Sequence, residues 1–307
     1  MRKIKNGMIG LVTLVLIGIG GVVTYHQISD VNASTVIESQ KGIEIKGESV
    51  DVQKINNNVS GSTSTSLDPI SKEDIHNRML NSIDNFDTVK GSFIYKSDSA
   101  NFNDKVDYQV KLKNKPSSYV KISSEKTGIE ETSFDGETLT NIFHENKNYR
   151  KGETMKYKLS SWDKEKYKSP KDRYGKKDGE TVYIRRDDPS FMGLAQTSVF
   201  PQMIALGYLE DYNSWNILNE EKYLNLDAVV IKGTFNDFYQ RKFETDTFKL
   251  WVHKDTGILL KMEGYKTDGQ VGELLETTSI KINGSLDDSK FKLKEPKDYK
   301  DQLKVKE

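Results

Sequence analysis

The chain contains no cysteine among its 307 residues. This absence excludes a disulfide framework, a thiolate metal site, a cysteine nucleophile and lipid attachment at an N-terminal cysteine. An excess of charge is also missing, because 46 basic residues are matched by 46 acidic ones. Since no basic tract alternates with aromatic residues either, the composition gives no reason to expect nucleic-acid binding.

Charged residues are absent from Asn6 through Ser29, and this stretch contains the apolar run Met8–Val23 behind a basic N-terminal tip. The run is intermediate in length between a signal-peptide core of about 7–15 residues and a bilayer span of about 20. We predict an uncleaved transmembrane anchor in residues 1–26, which places the tip in the cytoplasm and the body outside the cell membrane. The alternative is a signal peptide cleaved after Ala33, which would release a secreted protein.

Aromatic residues are absent between Tyr25 and Phe86. Within this interval, residues 54–66 are rich in serine, threonine and asparagine and cannot bury enough apolar surface to offset the entropy lost on ordering. We therefore predict a disordered tether over residues 27–67. A chain of about 40 residues of this kind reaches roughly 35 Å, so it would hold a folded domain near a membrane but off its surface.

The folded body is expected over residues 68–295, and it should begin with a helix. Asp68-Pro69 is a helix-start pair, and Ser71 with Asp74 has capping-box spacing. The next apolar residues share one helical face: Ile75, Met79, Leu80, Ile83 and Phe86. Strands should follow, because Val106, Tyr108, Val110 and Leu112 alternate with polar residues.

Short turn sequences predict hairpins along the rest of the body. Asp135-Gly136, Asp255–Gly257 and Asp268-Gly269 each separate two alternating apolar segments, so the flanking strands should be antiparallel neighbours. Lys151–Lys177 is rich in charge and poor in pattern and is interpreted as a long excursion between strands, with Trp162 as its large anchor. The charged tail, residues 296–307, is expected to fray.

A second helical segment opens at Asp188-Pro189 and runs to about Leu209. It is the most apolar part of the folded body, and Pro201 should kink or divide it. Just before it, Thr181–Arg185 has the composition of a strand.

The most specific pattern lies near the C-terminus. It comprises Trp251, Val252, Thr256, Gly257, Leu260, Lys261, Met262, Tyr265, Asp268, Gly269, Ile280, Ile282, Leu286, Asp287, Asp288, Ser289, Phe291 and Leu293. Together with an N-terminal helix and many meandering strands, this pattern resembles the lipoprotein-carrier superfamily, which includes LolA and RseB (MucB). The resemblance covers about residues 70–295. The chain differs from a free carrier in two places. The predicted anchor argues against shuttling across a compartment, and the Lys151–Lys177 excursion is longer than expected for the superfamily.

The resemblance implies an α+β fold: a large curved antiparallel sheet, or incomplete barrel, with helices covering its concave face and an apolar, partly vacant cavity between them. The second helical segment would act as core or as a lid over that cavity. The predicted cavity lining consists of Met192, Phe200, Met203, Phe248, Leu250, Leu260 and Met262. Arg185 and Arg186 near the mouth would either meet a phosphate headgroup or be solvated.

No residue set points to catalysis or metal binding. The histidines lie in separate predicted elements without ligand spacing: His26, His76, His144 and His253. The pairs Asp187-Asp188 and Asp287-Asp288 lie at element boundaries, where aspartate commonly caps helices and turns. No Gly-x-Ser-x-Gly elbow is present. We expect no enzyme activity, no cofactor and no metal.

These observations predict a membrane-tethered extracytoplasmic binding protein whose ligand is a lipid or an acylated protein. The alternative is a regulatory module similar to RseB, which would control a membrane-bound anti-sigma factor or an envelope-stress signal through a transmembrane partner. The tether motivates this alternative, because it raises the local concentration of the domain near membrane neighbours.

Overall fold

The computed structural model describes residues 69–153, 162–177 and 180–304, and the backbone of two N-terminal strands. These strands, β1 (Thr13–Gly18) and β2 (Gly21–His26), pair antiparallel. Among the described residues, no helix has the length and apolar character needed to cross a bilayer. The rest of the predicted anchor and the whole predicted tether lie outside the described residues, so both stay predictions.

Strands dominate the described body. In chain order they are β3 (Thr88–Ser97), β4 (Phe102–Lys111), β5 (Ser117–Ser124), β6 (Gly128–Phe134), β7 (Thr138–Phe143), β8 (Asn148–Glu153), β9 (Tyr174–Lys177), β10 (Glu180–Tyr183), β11 (Trp215–Tyr223), β12 (Leu226–Thr234), β13 (Thr247–His253), β14 (Leu259–Tyr265), β15 (Val271–Ile282) and β16 (Lys300–Asp301).

One sheet holds twelve of these strands in the order β11-β12-β13-β14-β15-β3-β4-β5-β6-β7-β8-β16. All neighbours in it are antiparallel except β16, which runs parallel to β8. Within the described residues β11 and β16 lie at its two edges, so the sheet is open and fits the predicted α+β class. The predicted strand at Thr181–Arg185 corresponds to β10, but it pairs with β9 in a separate two-stranded sheet.

Irregular register bends the half of the sheet formed by β11 to β15. Shifts occur between Ile217 and Asn219, Trp251 and Val252, Gly264 and Tyr265, and Thr277 and Ser279. Each such bulge bends its strand and increases the local right-handed twist.

Helix α1 (Lys72–Leu80) begins where Ser71 caps it, and the Ser71 hydroxyl accepts a hydrogen bond from the Asp74 N–H at 3.1 Å. The capping prediction is therefore confirmed, although the helix begins three residues beyond Pro69. The predicted apolar stripe is buried as expected: Ile75, Met79, Leu80, Ile83 and Phe86.

The second predicted helical segment is divided, as expected, at Pro201. A 3₁₀ turn (Gly193–Ala195) leads into α2 (Gln196–Val199), and α3 (Gln202–Tyr208) follows the proline. We call residues 188–209 the plug segment. A further helix, α4 (Asp237–Phe243), was not predicted, although Asn236 caps it by accepting from the Tyr239 N–H at 3.1 Å.

The helices lie against one face of the sheet, which we call the inner face. The 3₁₀ turn of the plug segment contacts β4 and β5, α2 contacts β14, and α1 contacts α3. Their buried side chains form a single apolar cluster with those of the inner strands. The core of the described body is therefore a layer of short helices on a large open sheet.

Part of the C-terminal tail is ordered, contrary to the prediction that it frays. The Lys300 N–H donates to the Lys147 carbonyl and the Gln302 N–H to the Tyr149 carbonyl, both at 2.9 Å. The Tyr299 hydroxyl also lies 2.9 Å from Nδ1 of His144. Backbone pairing of the tail with β8 outweighs the local charge of the tail, because it satisfies groups of β8 that would otherwise be left unpaired at the edge of the sheet.

Candidate functional site

The seven residues predicted to line a cavity come together on the inner face. Six of them are buried: Met192, Phe200, Phe248, Leu250, Leu260 and Met262. Met203 is half-buried and packs against the same cluster. Two strands and the plug segment supply them, and Leu250 on β13 is the direct cross-strand neighbour of Met262 on β14.

The plug segment fills the space that was predicted to be partly vacant. Two cavities in the described part of the chain have volumes of about 280 and 240 Å³, and polar residues predominate in the lining of both. None of the seven predicted residues lines either cavity. In this arrangement Met192 and Phe200 are buried in the apolar cluster, and neither of these two cavities is the apolar, partly vacant one that the resemblance implies.

Side-chain hydrogen bonds fasten the plug segment to its surroundings. The Ser198 hydroxyl donates to the Leu259 carbonyl of β14 at 2.8 Å, and the Ser82 hydroxyl donates to the Val199 carbonyl at 2.8 Å. The Tyr174 hydroxyl donates to the Leu206 carbonyl at 3.0 Å. The last two bonds satisfy the Val199 and Leu206 carbonyls near the ends of α2 and α3, where the short helices themselves leave such groups without partners.

The two arginines predicted near the mouth differ in their environments. Arg185 is exposed, whereas the Arg186 guanidinium donates to both carboxylate oxygens of Asp84 at 2.7 and 2.9 Å. The Arg186 side chain is only 16% exposed, so simple solvation does not describe it. Burial opposes ionisation of Asp84, but hydrogen bonds and charge from Arg186 and Lys164 outweigh burial and lower the pKa of Asp84.

His76 of α1 is buried against the plug segment and is hydrogen-bonded. Its Nδ1 lies 3.1 Å from the Tyr212 hydroxyl, and its Nε2 lies 3.4 Å from the Tyr174 hydroxyl. Burial lowers the pKa of His76 to about 3; a backbone hydrogen bond at Ala205 partly opposes this shift, and the charge of Arg173 adds to it. The folded protein therefore holds His76 neutral.

Acid should destabilise the protein through His76. Its pKa is lower in the folded state than the ordinary 6.5, so its contribution is fully present above pH 6.5 and is lost as the pH falls from 6.5 toward 3. Between pH 7.5 and 5.5 this group alone should remove about 1.4 kcal/mol of unfolding free energy. Denaturant titrations at both pH values measure this loss. Between pH 7.5 and 5.5, the unfolding free energy of the His76→Gln variant should fall by about 1.4 kcal/mol less than that of the natural protein. Equal losses would contradict this assignment.

The predicted capping role is confirmed for one aspartate of each pair, Asp188 and Asp287. The Asp188 carboxylate accepts from the Ser190 N–H at 2.8 Å and the Met192 N–H at 2.6 Å, which shapes the start of the plug segment. Asp287 accepts from the Ser289 N–H at 3.1 Å before a 3₁₀ turn. Both carboxylates thus satisfy local backbone donors.

No protein-family model and no curated protein matches this chain. Among solved structures, it is similar to MucB, with 15% identity, a TM-score of 0.41, and coverage of 74% of this chain and 63% of MucB. It is also similar to lipoprotein LppX of Mycobacterium tuberculosis, with 11% identity, a TM-score of 0.34, and coverage of 69% and 95% of the two chains.

A third similar structure is a putative outer membrane lipoprotein-sorting protein domain from Vibrio parahaemolyticus. Here the identity is 11% and the TM-score 0.26, with coverage of 71% of this chain and 94% of the other. The matching structures thus include members of the superfamily that the C-terminal pattern resembles. The chain spans less than two-thirds of the length of MucB.

Proposed function

We propose that this protein is an extracytoplasmic binding protein for an acylated ligand, either a lipid or a lipoprotein, held at the cell membrane by its N-terminal apolar run. In this proposal the plug segment closes the empty site and moves away when an acyl chain enters. The observation that supports it is the single apolar cluster in which Met192 and Phe200 of the plug segment pack with Leu260 and Met262 of β14.

The plug segment is built in a way that favours exchange. Its helices α2 and α3 have four and seven residues. Isolated helices shorter than about 12–15 residues are marginal in water, so these two depend on packing against the sheet. An acyl chain offers the inner face a substitute apolar surface, and each buried methylene contributes about 0.8 kcal/mol. Exchange then replaces one apolar contact with another, which keeps its net cost small.

The composition of the cluster suits a ligand without fixed shape. Met192, Met203 and Met262 have unbranched, flexible side chains that adapt to irregular neighbours. Such residues can pack against the plug segment in one state and against a hydrocarbon chain in the other.

A photoreactive fatty acid tests this proposal. The full chain in phospholipid nanodiscs is irradiated with a fatty acid that carries a diazirine at its terminal carbon, and the labelled peptides are identified by mass spectrometry. We expect label on the plug segment and on β13 or β14, and we expect excess unlabelled fatty acid to remove it.

Label confined to Met8–Val23, or label that the competitor does not reduce, would contradict the proposal. A regulatory module that binds only a partner protein would likewise leave the inner face unlabelled. The competitor is the internal control, because partitioning of the probe into nanodisc lipid does not saturate at a defined stoichiometry.

A further inference from the structure

A polar depression lies between the C-terminal end of α1 and the turn over residues 162–168. Its volume is about 280 Å³, which is below the usual range of about 300–1,000 Å³ for pockets that hold drug-sized ligands. Its lining consists of Asn77, Arg78, Asn81, Asp84, Asn85, Trp162, Lys164, Tyr167 and Lys168. The size suits a small polar group rather than a hydrocarbon chain.

Cationic side chains predominate around this depression. Arg78, Lys164 and Lys168 line it, and the guanidinium groups of Arg173 and Arg186 lie 4.4 and 5.7 Å from the ring centre of Trp162. These five cations face one lining carboxylate, Asp84.

That carboxylate is already engaged. Asp84 forms ion pairs with Arg186 at 2.7 Å and with Lys164 at 3.2 Å. Over the described ranges, Lys168 and Arg78 have no carboxylate within ion-pair distance; Arg78 donates instead to the Lys254 carbonyl. The depression therefore keeps an excess of positive charge, which attracts an anion.

The neighbouring carboxylates Glu73 and Asp163 accept hydrogen bonds from other groups. Glu73 accepts a hydrogen bond from the Ser169 hydroxyl at 2.7 Å. Asp163 accepts from the backbone N–H groups of Glu165 and Lys166 at 3.1 and 3.0 Å. Neither carboxylate lines the depression.

Arg173 lies at the buried edge of this site, with its side chain fully inaccessible to solvent. Its N–H groups donate to neutral acceptors: the Ile184 carbonyl at 2.7 Å, Oε1 of Gln202 at 3.0 Å and Oδ1 of Asn81 at 3.5 Å. Burial, and next the charge of Arg186, lower the pKa of Arg173 to about 10. A buried cation without a counter-charge is unfavourable, so an anion beside it would stabilise it.

We propose that this depression binds a phosphoryl group, with Lys164, Lys168 and Arg78 as direct ligands and with Arg173 behind them as a source of positive field. Planar guanidinium and ammonium groups are the usual donors to phosphate oxygens. The amides of Asn77 and Asn85 add neutral polar groups at the same wall.

The site is joined to the plug segment through Gln202, the first residue of α3. Its side-chain oxygen accepts from Arg173 and from the Arg186 N–H at 2.9 Å, and its amide donates to the Arg186 carbonyl at 2.7 Å. We assign the phosphoryl group to the head of the acylated ligand; this assignment rests on the proposed function, whereas phosphoryl binding itself does not.

The test is calorimetric titration of the full chain in phosphatidylcholine nanodiscs with inorganic phosphate and with glycerol 1-phosphate at constant ionic strength. We expect saturable binding of both. Lys168→Gln should weaken it by about tenfold or more, as expected for loss of one charge-assisted hydrogen bond. Lys171→Gln is the matched control, because Lys171 is exposed on the same part of the chain and does not line the depression. Its affinity should be unchanged.

No saturable heat, or equal affinities of the two variants, would overturn the site. A second arm replaces part of the nanodisc lipid with phosphatidylglycerol. Competition by this lipid with glycerol 1-phosphate supports a lipid headgroup, and its absence overturns the headgroup assignment in favour of a free phosphorylated solute. Glycerol 1-phosphate has no acyl chain, so this experiment succeeds or fails independently of fatty-acid labelling.

Discussion

Gly257→Ala should be among the most destabilising single substitutions in this protein. Gly257 lies in the turn between β13 and β14 with φ +78°, where residues with a β-carbon are disfavoured by about 1–2 kcal/mol. A β-carbon there would also overlap the Arg78 carbonyl of α1 and lie 2.6 Å from the Met79 nitrogen. Such overpacking against backbone adds about 1–3 kcal/mol. We expect the free energy of unfolding to fall by about 3 kcal/mol.

Gly269→Ala is the matched control for this substitution. Gly269 lies in the next hairpin turn with φ +84°, but a β-carbon there would meet no atom within 4 Å. Only the conformational cost of about 1–2 kcal/mol should appear. Chemical denaturation, monitored by tryptophan fluorescence, measures the free energy of unfolding of both variants. Equal losses in the two variants would show that the β13–β14 turn does not pack against α1.

The hairpins were predictable because their turns carry local signals. Gly136, Gly257 and Gly269 all adopt positive φ at the positions where the sequence predicts turns. The capped apolar stripe of α1 was predictable for the same reason. Helix α4 was missed although local signals for it were present, because Asn236 caps it, and Phe235, Tyr239 and Phe243, four residues apart, pack their rings together.

The pairing of strands that are distant in the chain could not be predicted from the sequence. Strand β15 pairs with β3, for example Leu275 with Tyr95, and thereby joins the two meanders. Neither periodicity nor turn chemistry specifies which distant strand lies beside another. The proposed phosphoryl site could not be predicted for the same reason, because α1 and the turn around Trp162 meet only in the folded chain.

The filling of the inner face could not be predicted either. The apolar residues of the plug segment give the same sequence pattern whether they cover an empty cavity or fill it. Side-chain volume and backbone path decide between the two, and neither is expressed in periodicity. Asn77, Asn81 and Asn85 recur every four residues from α1 through the 3₁₀ turn that follows it, and this spacing is the local signal that could have indicated a polar site there.

Phe200→Ala should have the second large effect. Phe200 is 1% exposed and packs in the cluster between the plug segment and the sheet. Removal of a buried phenyl ring costs about 3–5 kcal/mol through lost burial and the remaining cavity. The control is Phe102→Ala: Phe102 is 6% exposed and packs on Tyr95 with ring centres 4.9 Å apart, outside that cluster. Without ligand, both variants should have a lower Tm than the natural protein.

The Tm of these two variants with a saturating fatty acid tests most directly whether the acyl chain and the plug segment compete for one place. If the chain displaces the plug segment, the ligand-bound state no longer uses Phe200. Fatty acid should then bring Phe200→Ala close to the Tm of the ligand-bound natural protein, while Phe102→Ala stays well below it. An equal deficit in both variants with ligand bound would contradict the account.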